Sequence, residues 1–350
     1  HMLPVPLAPQ GQLESLDLRL GEQRGDQGQD LGRRQRALAV GGLGRGQGPA
    51  ALAGLAMPQV GPLARVRWRP LTHGRVDQPR LVDAAFAYEG AADEASFALG
   101  PALVGLLAVA IDPSGALLAG AALLAVFGTA FALDQSAVRT HAYALTHAHL
   151  GGAGRLLSAA LVVLALAQLC IGVLFGATQT GATVLATAAG NPGAAGFVHA
   201  TLGVGSAVAG LATAYLPARI GYERRALGAA VALVVLSAPL LLVGSLLTVT
   251  LAVLALGCAV APYMIAVFTL GERVVPPARV GAAMTVLASA TGVGYALGAS
   301  VAGRVADATG SHTGAFAVTV TTTVVATVLL ALSQHRLVSE KREERELVPA

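Results

Sequence analysis

"ALGAAVALVVLSAPLLLVGSLLTVTLAVLALGCAVAPYMIAVFTLG", residues 226–271, runs for 46 positions without one Asp, Glu, Lys, Arg or His. A water-soluble fold has no place to hide such a run, whereas a bilayer solvates it. One spanning helix takes roughly 20 apolar residues, because about 30 Å of hydrocarbon is crossed at about 1.5 Å per residue. The stretch therefore reads as two crossings joined by a tight turn. Membrane strands are a poor alternative, since the run is continuous rather than alternating and is built mainly from Ala, Leu and Val.

Working outward, "ERVVPPAR" (272–279) is a short charged knot, and 24 further uncharged residues, Val280 to Gly303, follow it. Only 12% of the 350 residues are charged and 55% are hydrophobic, with a mean hydropathy of +0.66. A soluble domain carries about 25% charged residues. Eight apolar runs emerge, at about 88–111, 115–133, 156–188, 194–216, 226–246, 249–270, 280–302 and 312–333. The expected fold is an all-α integral membrane protein with about eight transmembrane helices. The third run exceeds what a bilayer requires, so it is expected to tilt, break or extend beyond the membrane.

Arginine sets the topology. Arg65, Arg67, Arg69, Arg75 and Arg80 precede the first run, and Arg139, Arg155, Arg219, Arg224, Arg225, Arg273 and Arg279 fall in alternate connections. With Arg336, Lys341, Arg342 and Arg345 of the tail, one side holds 16 basic residues and the other only Arg304. The positive-inside bias makes the charged side cytoplasmic and puts both termini there, with the cell membrane as the location. The net charge of +4 is thereby explained without nucleic acid as a partner. In the knot, Pro276-Pro277 stops a helix. Arg273 and Arg279 anchor the turn, and Glu272 is free to pair with either or with a basic residue of another loop.

The knot and its sequel, "TLGERVVPPARVGAAMTVLASATGVGYALGASVAGRVADATG" (269–310), resemble the stretch joining the tenth and eleventh helices of bacterial major facilitator superfamily transporters. "PQVGPLARVRW" (58–68) and "YEGAADEASFALGP" (88–101) look like the approach to that family's fifth helix and its beginning. "GVLFGATQTGATVLA" (172–186) is similar to its seventh. The resemblance covers residues 57–335 as the last eight of twelve helices, so the first four are expected to be missing. It implies a bundle in which 57–133 holds the last two helices of the first half and 134–155 the central cytoplasmic loop. Residues 156–334 then form the six-helix second half, and 335–350 a charged cytoplasmic tail. Residues 1–56 stand apart, with ten Gly and seven Gln in the first 50 positions and no helical or strand period. They are expected to be disordered, or a mistranslated beginning.

The resemblance implies alternating access for a small-molecule solute, with protons as a coupling ion and efflux favoured by the partial Gly-Pro motif of "GPALVG" (100–105). The alternative is a truncated, transport-incompetent membrane protein acting as an interaction partner or without function. Two departures weigh on the likeness. "LPARIGYERR" (216–225) keeps Arg219, Gly221, Arg224 and Arg225 of the family's cytoplasmic gate loop but has Ala218 in place of its acid. Gln179 stands where the seventh helix often has a carboxylate.

Polar groups inside a membrane are costly and therefore functional candidates. Asp93 and Glu94 are candidates for proton coupling, or else interfacial carboxylates paired with loop arginines. Gln168, Thr178 and Gln179, with Tyr263 and Tyr295, are candidates for a solute cavity, or else packing and helix-to-helix bonds. Arg219, Gly221, Arg224, Arg225, Glu272, Arg273 and Arg279 are the candidate cytoplasmic gate. His199 reads as a proton relay or an interfacial histidine. Gly172-x-x-x-Gly176 and Gly294-x-x-x-Gly298 are expected to let backbones approach closely. Cys170 and Cys258 read as buried thiols, implying neither a disulfide nor a metal site. No cofactor is expected. An enzyme is not expected either: Ser206 lacks a protease pattern, His199 lies about 10 Å from it along one helix, and no P-loop is present.

Overall fold

The computed structural model describes residues 60–148, 158–217, 219–276 and 279–347, and these are helical with no strand among them. The expectations for residues 1–56 lie outside the described residues. The helices are α1 (Val60–Leu71), α2 (Gln78–Ala110), α3 (Pro113–Leu133), α4 (Gln135–Ala148), α5 (Ala159–Ala188), α6 (Ala194–Ala212), α7 (Tyr222–Ser237), α8 (Leu246–Arg273), α9 (Val280–Thr309) and α10 (His312–Leu347). Short 3-10 turns extend α6 over Thr213–Tyr215 and α7 over Ala238–Leu242.

Seven of these helices are long and apolar enough to cross a membrane: α3, and α5 to α10. The first of the eight expected runs lies in α2, which has 33 residues but carries Asp83, Glu89, Asp93 and Glu94 in its first half, and it is not among the seven. Helix α5 is unbroken over 30 residues, so the surplus of the third run becomes added length rather than a break. Part of the connection 134–155 is the helix α4, and α10 continues through the charged residues to Leu347.

Local chemistry explains the ends. Ser158 caps α5, accepting a hydrogen bond from the Leu161 N–H, and Ser245 with Thr248 makes a reciprocal capping box on α8. Gly310 closes α9 in the left-handed region, φ +62°, where a side chain would be strained.

Helix α5 packs between α9 and α10, α8 lies against α6 and α7, and α2 lies along α6. Lipid is as apolar as leucine, so close packing rather than water exclusion holds such a bundle. The four glycines of the two motifs face one another. A Cβ on Gly172 or Gly176 would come within 3.0 Å of the α9 backbone, and one on Gly294 or Gly298 would meet the α5 backbone as closely. A second crossing works likewise, Gly205 of α6 against Leu254 and Gly257 of α8 against Leu202.

Burial is uneven. The most apolar window of α8 is 72% buried and that of α3 only 6%, so α3 offers nearly its whole circumference to lipid. Cys170 is buried as expected, but Cys258 is exposed, a correction. Its neighbour Gly257 takes the face toward α6, which turns Cys258 outward.

Candidate functional site

Helix α1 meets α2, α4 and α9 and the C-terminal end of α8, whose Arg273 reaches Tyr222 at the start of α7. Helix α1 is short and amphipathic, and it places Arg65 and Arg69 one turn apart. Arg69 Nε donates to Glu272 Oε1 of α8 at 2.5 Å, with the Glu272 side chain 3% exposed. Arg273, the next residue, donates to Asp83 of α2 at 2.9 Å. Arg65 pairs with Asp93 at 2.5 Å and lies over the Phe268 ring at 4.4 Å. Trp68 Nε1 donates to Glu89 at 3.0 Å. Three of these links bridge 60–110 to α8, two ion pairs and the Arg65–Phe268 stack, and the other two bind α1 to α2.

The network reaches further on both sides. Two guanidinium groups lie over the Tyr222 ring, Arg225 at 4.6 Å and Arg273 at 4.5 Å, a doubled cation–π contact. Arg67 stacks on Phe131 at 3.5 Å and donates to the Phe131 carbonyl and the Ser136 hydroxyl, so it holds the turn from α3 to α4. In that turn the Ser136 hydroxyl and amide hold the Asp134 carboxyl below its ordinary pKa. Thr140 and Tyr143 of α4 line a small cavity beside the Arg69–Glu272 pair. Burial opposes the Arg69 charge, but Glu272 and Tyr143 outweigh it and raise its pKa.

The gate candidates fall into distinct roles. Glu272 and Arg273 form the ion pairs, and Glu272 takes its partner from α1 rather than from its own loop. Arg225 donates to the carbonyls of Leu216, Pro217 and Ile220, so it clasps the turn between α6 and α7. Gly221 is the N-cap of α7 and Arg279 that of α9. Arg219 and Arg224 are exposed.

Of the coupling candidates, Asp93 is an ion-pair member, and the Glu94 side chain lies outside the described residues. The cavity candidates do not gather in one place. Tyr263 is fully buried, and its hydroxyl donates to the Ala167 carbonyl at 2.8 Å. Thr178 meets Thr319 of α10 at 3.2 Å in a buried contact. Tyr295 donates to Gln179 across the α5–α9 crossing and is 40% exposed. Gln168 is fully buried with neither amide atom paired. The Ser206 hydroxyl and His199 Nδ1 are buried and unpaired too.

Arg65, Trp68, Arg69, Asp83 and Glu89 were not candidates from sequence, where the arginines served only to set orientation. The available signal was the pairing of an amphipathic helix carrying Arg65 and Arg69 with the three carboxylates at 83, 89 and 93 that follow it.

Seven membrane-capable helices define a multi-pass helical membrane protein, and ion pairs tie α1 and α2 to the end of one of them, α8. The family model of the Major Facilitator Superfamily matches residues 164–349, more than half of the chain, and the protein belongs to that superfamily of membrane transporters. Such proteins sit in a lipid bilayer and bind small solutes. No curated protein matches the chain.

Proposed function

We propose that the chain moves a small solute across the cytoplasmic membrane by alternating access, exporting it at the expense of a proton gradient. Both chain ends are then cytoplasmic, as the arginine distribution favours. The observation that carries this reading is the pair of ionic links, Arg69–Glu272 and Arg273–Asp83, between 60–110 and α8 at one end of the bundle. The part-exposed Arg273–Asp83 pair is worth only about 0–1 kcal/mol, and losing one partner of the more buried Arg69–Glu272 pair costs about 1–2 kcal/mol. They can close an end firmly enough to define a state, and a solute with modest preference for the other state can open it.

In this reading Arg219, Gly221, Arg224, Arg225 and Arg279 complete the cytoplasmic gate by shaping its turns. Asp93, paired with Arg65 across α1 and α2, and Glu94 beside it are the coupling carboxylates, and parting Asp93 from Arg65 loosens α1 from α2. Gln179 and Tyr295 offer an amide and a hydroxyl to solute, with Gln168 a further amide exposed when the helices shift. Thr178 and Tyr263 hold helices together around that path. Export is favoured by the Gly100-Pro101 step, similar to that of family exporters.

The test is flux in proteoliposomes holding the full chain under an imposed pH gradient, with a panel of labelled organic cations, organic anions and sugars. We expect gradient-driven movement of at least one class, reduced about tenfold or more in Glu94→Gln or Asp93→Asn. Flux of a probe that runs equally with and without the pH gradient, and is unchanged in both variants, would overturn the proton-coupled reading.

A further inference from the structure

A cleft of about 280 Å³ lies between the C-terminal end of α6, the turn 216–221, the start of α7 and the middle of α8. Leu216, Ile220, Gly228, Ala229, Pro262 and Ile265 line it. It is at the lower edge of the size range of ligand pockets and has their apolar character. The membrane-capable stretch of α7 begins at Tyr222, which lines the cleft, so the cleft lies at the charged end of that stretch rather than along its middle.

The charges around it are lopsided. Residues 216–228 carry Arg219, Arg224 and Arg225 against the single carboxylate of Glu223. Arg224 and Arg225 line the cleft itself, and Arg219 and Arg224 are exposed. The Arg225 guanidinium is held by three backbone carbonyls, which orient it without cancelling its charge. Gly228 leaves the wall open, since an added Cβ there would meet no atom within 4 Å.

We propose that this cleft seats an anionic phospholipid, with its phosphate on Arg224 and Arg219 and one acyl chain along the apolar wall. The chain gains little by leaving bulk lipid for an equally apolar groove, so selectivity comes from the headgroup. Each basic side chain near an anionic headgroup contributes about fivefold in affinity. The seat also touches the charged end of the bundle. Arg225 beside the lipid and Arg273 of the Asp83 pair both lie over the Tyr222 ring. Occupancy of the cleft therefore bears on the same ring that backs an ion pair of the closed end.

The experiment reconstitutes the full chain in nanodiscs with trace photoactivatable phosphatidylglycerol or, separately, the matched phosphatidylcholine, and maps labelled peptides by mass spectrometry. Phosphatidylglycerol is expected to label 216–229 and 262–266 at least fivefold more than phosphatidylcholine. Arg219→Gln with Arg224→Gln should erase that preference. Gly228→Phe should remove labelling at the cleft by filling it, with unchanged helical circular dichroism confirming the fold. Equal labelling by the two lipids would overturn the proposal without recourse to any variant. So would labelling indifferent to Gly228→Phe, or labelling displaced by soluble glycerol phosphate, which would make the occupant a free anion.

Discussion

Two regions of this bundle join helices by opposite means. At the α5–α9 and α6–α8 crossings, glycines bring backbones so close that not even a methyl group fits. At the arginine-rich end, α1 and α2 meet α8 through long side chains, with Arg69 on Glu272 and Arg273 on Asp83. Backbone contact is rigid and has no alternative register that keeps the packing. A charged pair can part, because water and lipid headgroups can take over each partner. The difference separates what is locked from what can let go: 159–309 is stitched by backbone contact, whereas 60–110 packs along α6 through small apolar residues and is buttoned to α8 by charges at one end.

The largest effect that tests this contrast is at a glycine crossing. Gly176→Leu places a side chain against the Tyr295 carbonyl and should cost about 3 kcal/mol or more, read as loss of folded protein in detergent thermal unfolding. A near-neutral result would mean that the crossing can slide, and the rigid half of the comparison would fail.

Next comes the buried button. Glu272→Gln leaves Arg69 without its counter-charge, and a fully buried pair would lose about 3–5 kcal/mol. The Arg69 side chain is 40% exposed, which reduces the expected cost to about 1–2 kcal/mol. Exchange of the two charges, Arg69→Glu with Glu272→Arg, should recover part of it in a double-mutant cycle. Additive losses with no recovery would show that the two residues do not act as a pair.

The outer button is weaker. Asp83 and Arg273 are about a third exposed, so Asp83→Asn should cost about 0.5–1 kcal/mol, and high salt should shrink the difference from the unmodified chain. A salt-independent cost would assign Asp83 a packing role. The smallest effect belongs to Tyr295→Phe, which removes the hydrogen bond to Gln179 on the rigid side. Interhelical bonds of this kind average about 0.6 kcal/mol, and solute flux is the more sensitive readout.

Much of this division is legible in the amino-acid sequence. The uncharged runs announced the spanning helices, and the Gly172/Gly176 and Gly294/Gly298 spacings announced close crossings. That the two motifs meet each other was not legible, since a small-residue stripe does not name its partner. Gly205 and Gly257 carry no doubled spacing and gave no signal at all. The candidate site was readable in kind rather than in connection. Glu272 stood out as an acid in an arginine-bearing knot, but its partner lies 203 residues away, and Arg273 finds Asp83 190 residues away. Tyr263 had an open choice between cavity and packing, and its hydroxyl on the Ala167 carbonyl places it in the packing.

Residue type and order thus determined the solvent of this protein, its helices and the end at which its charges gather. Each of these follows from the local cost of placing a side chain in hydrocarbon, a property summed along the chain. Which glycines face each other, which carboxylate each arginine takes, and where an apolar cleft opens beside uncancelled arginines were decided only by the tertiary structure. Those choices depend on distances between helices far apart in sequence, and any of several acids would satisfy the same arginine equally well on paper.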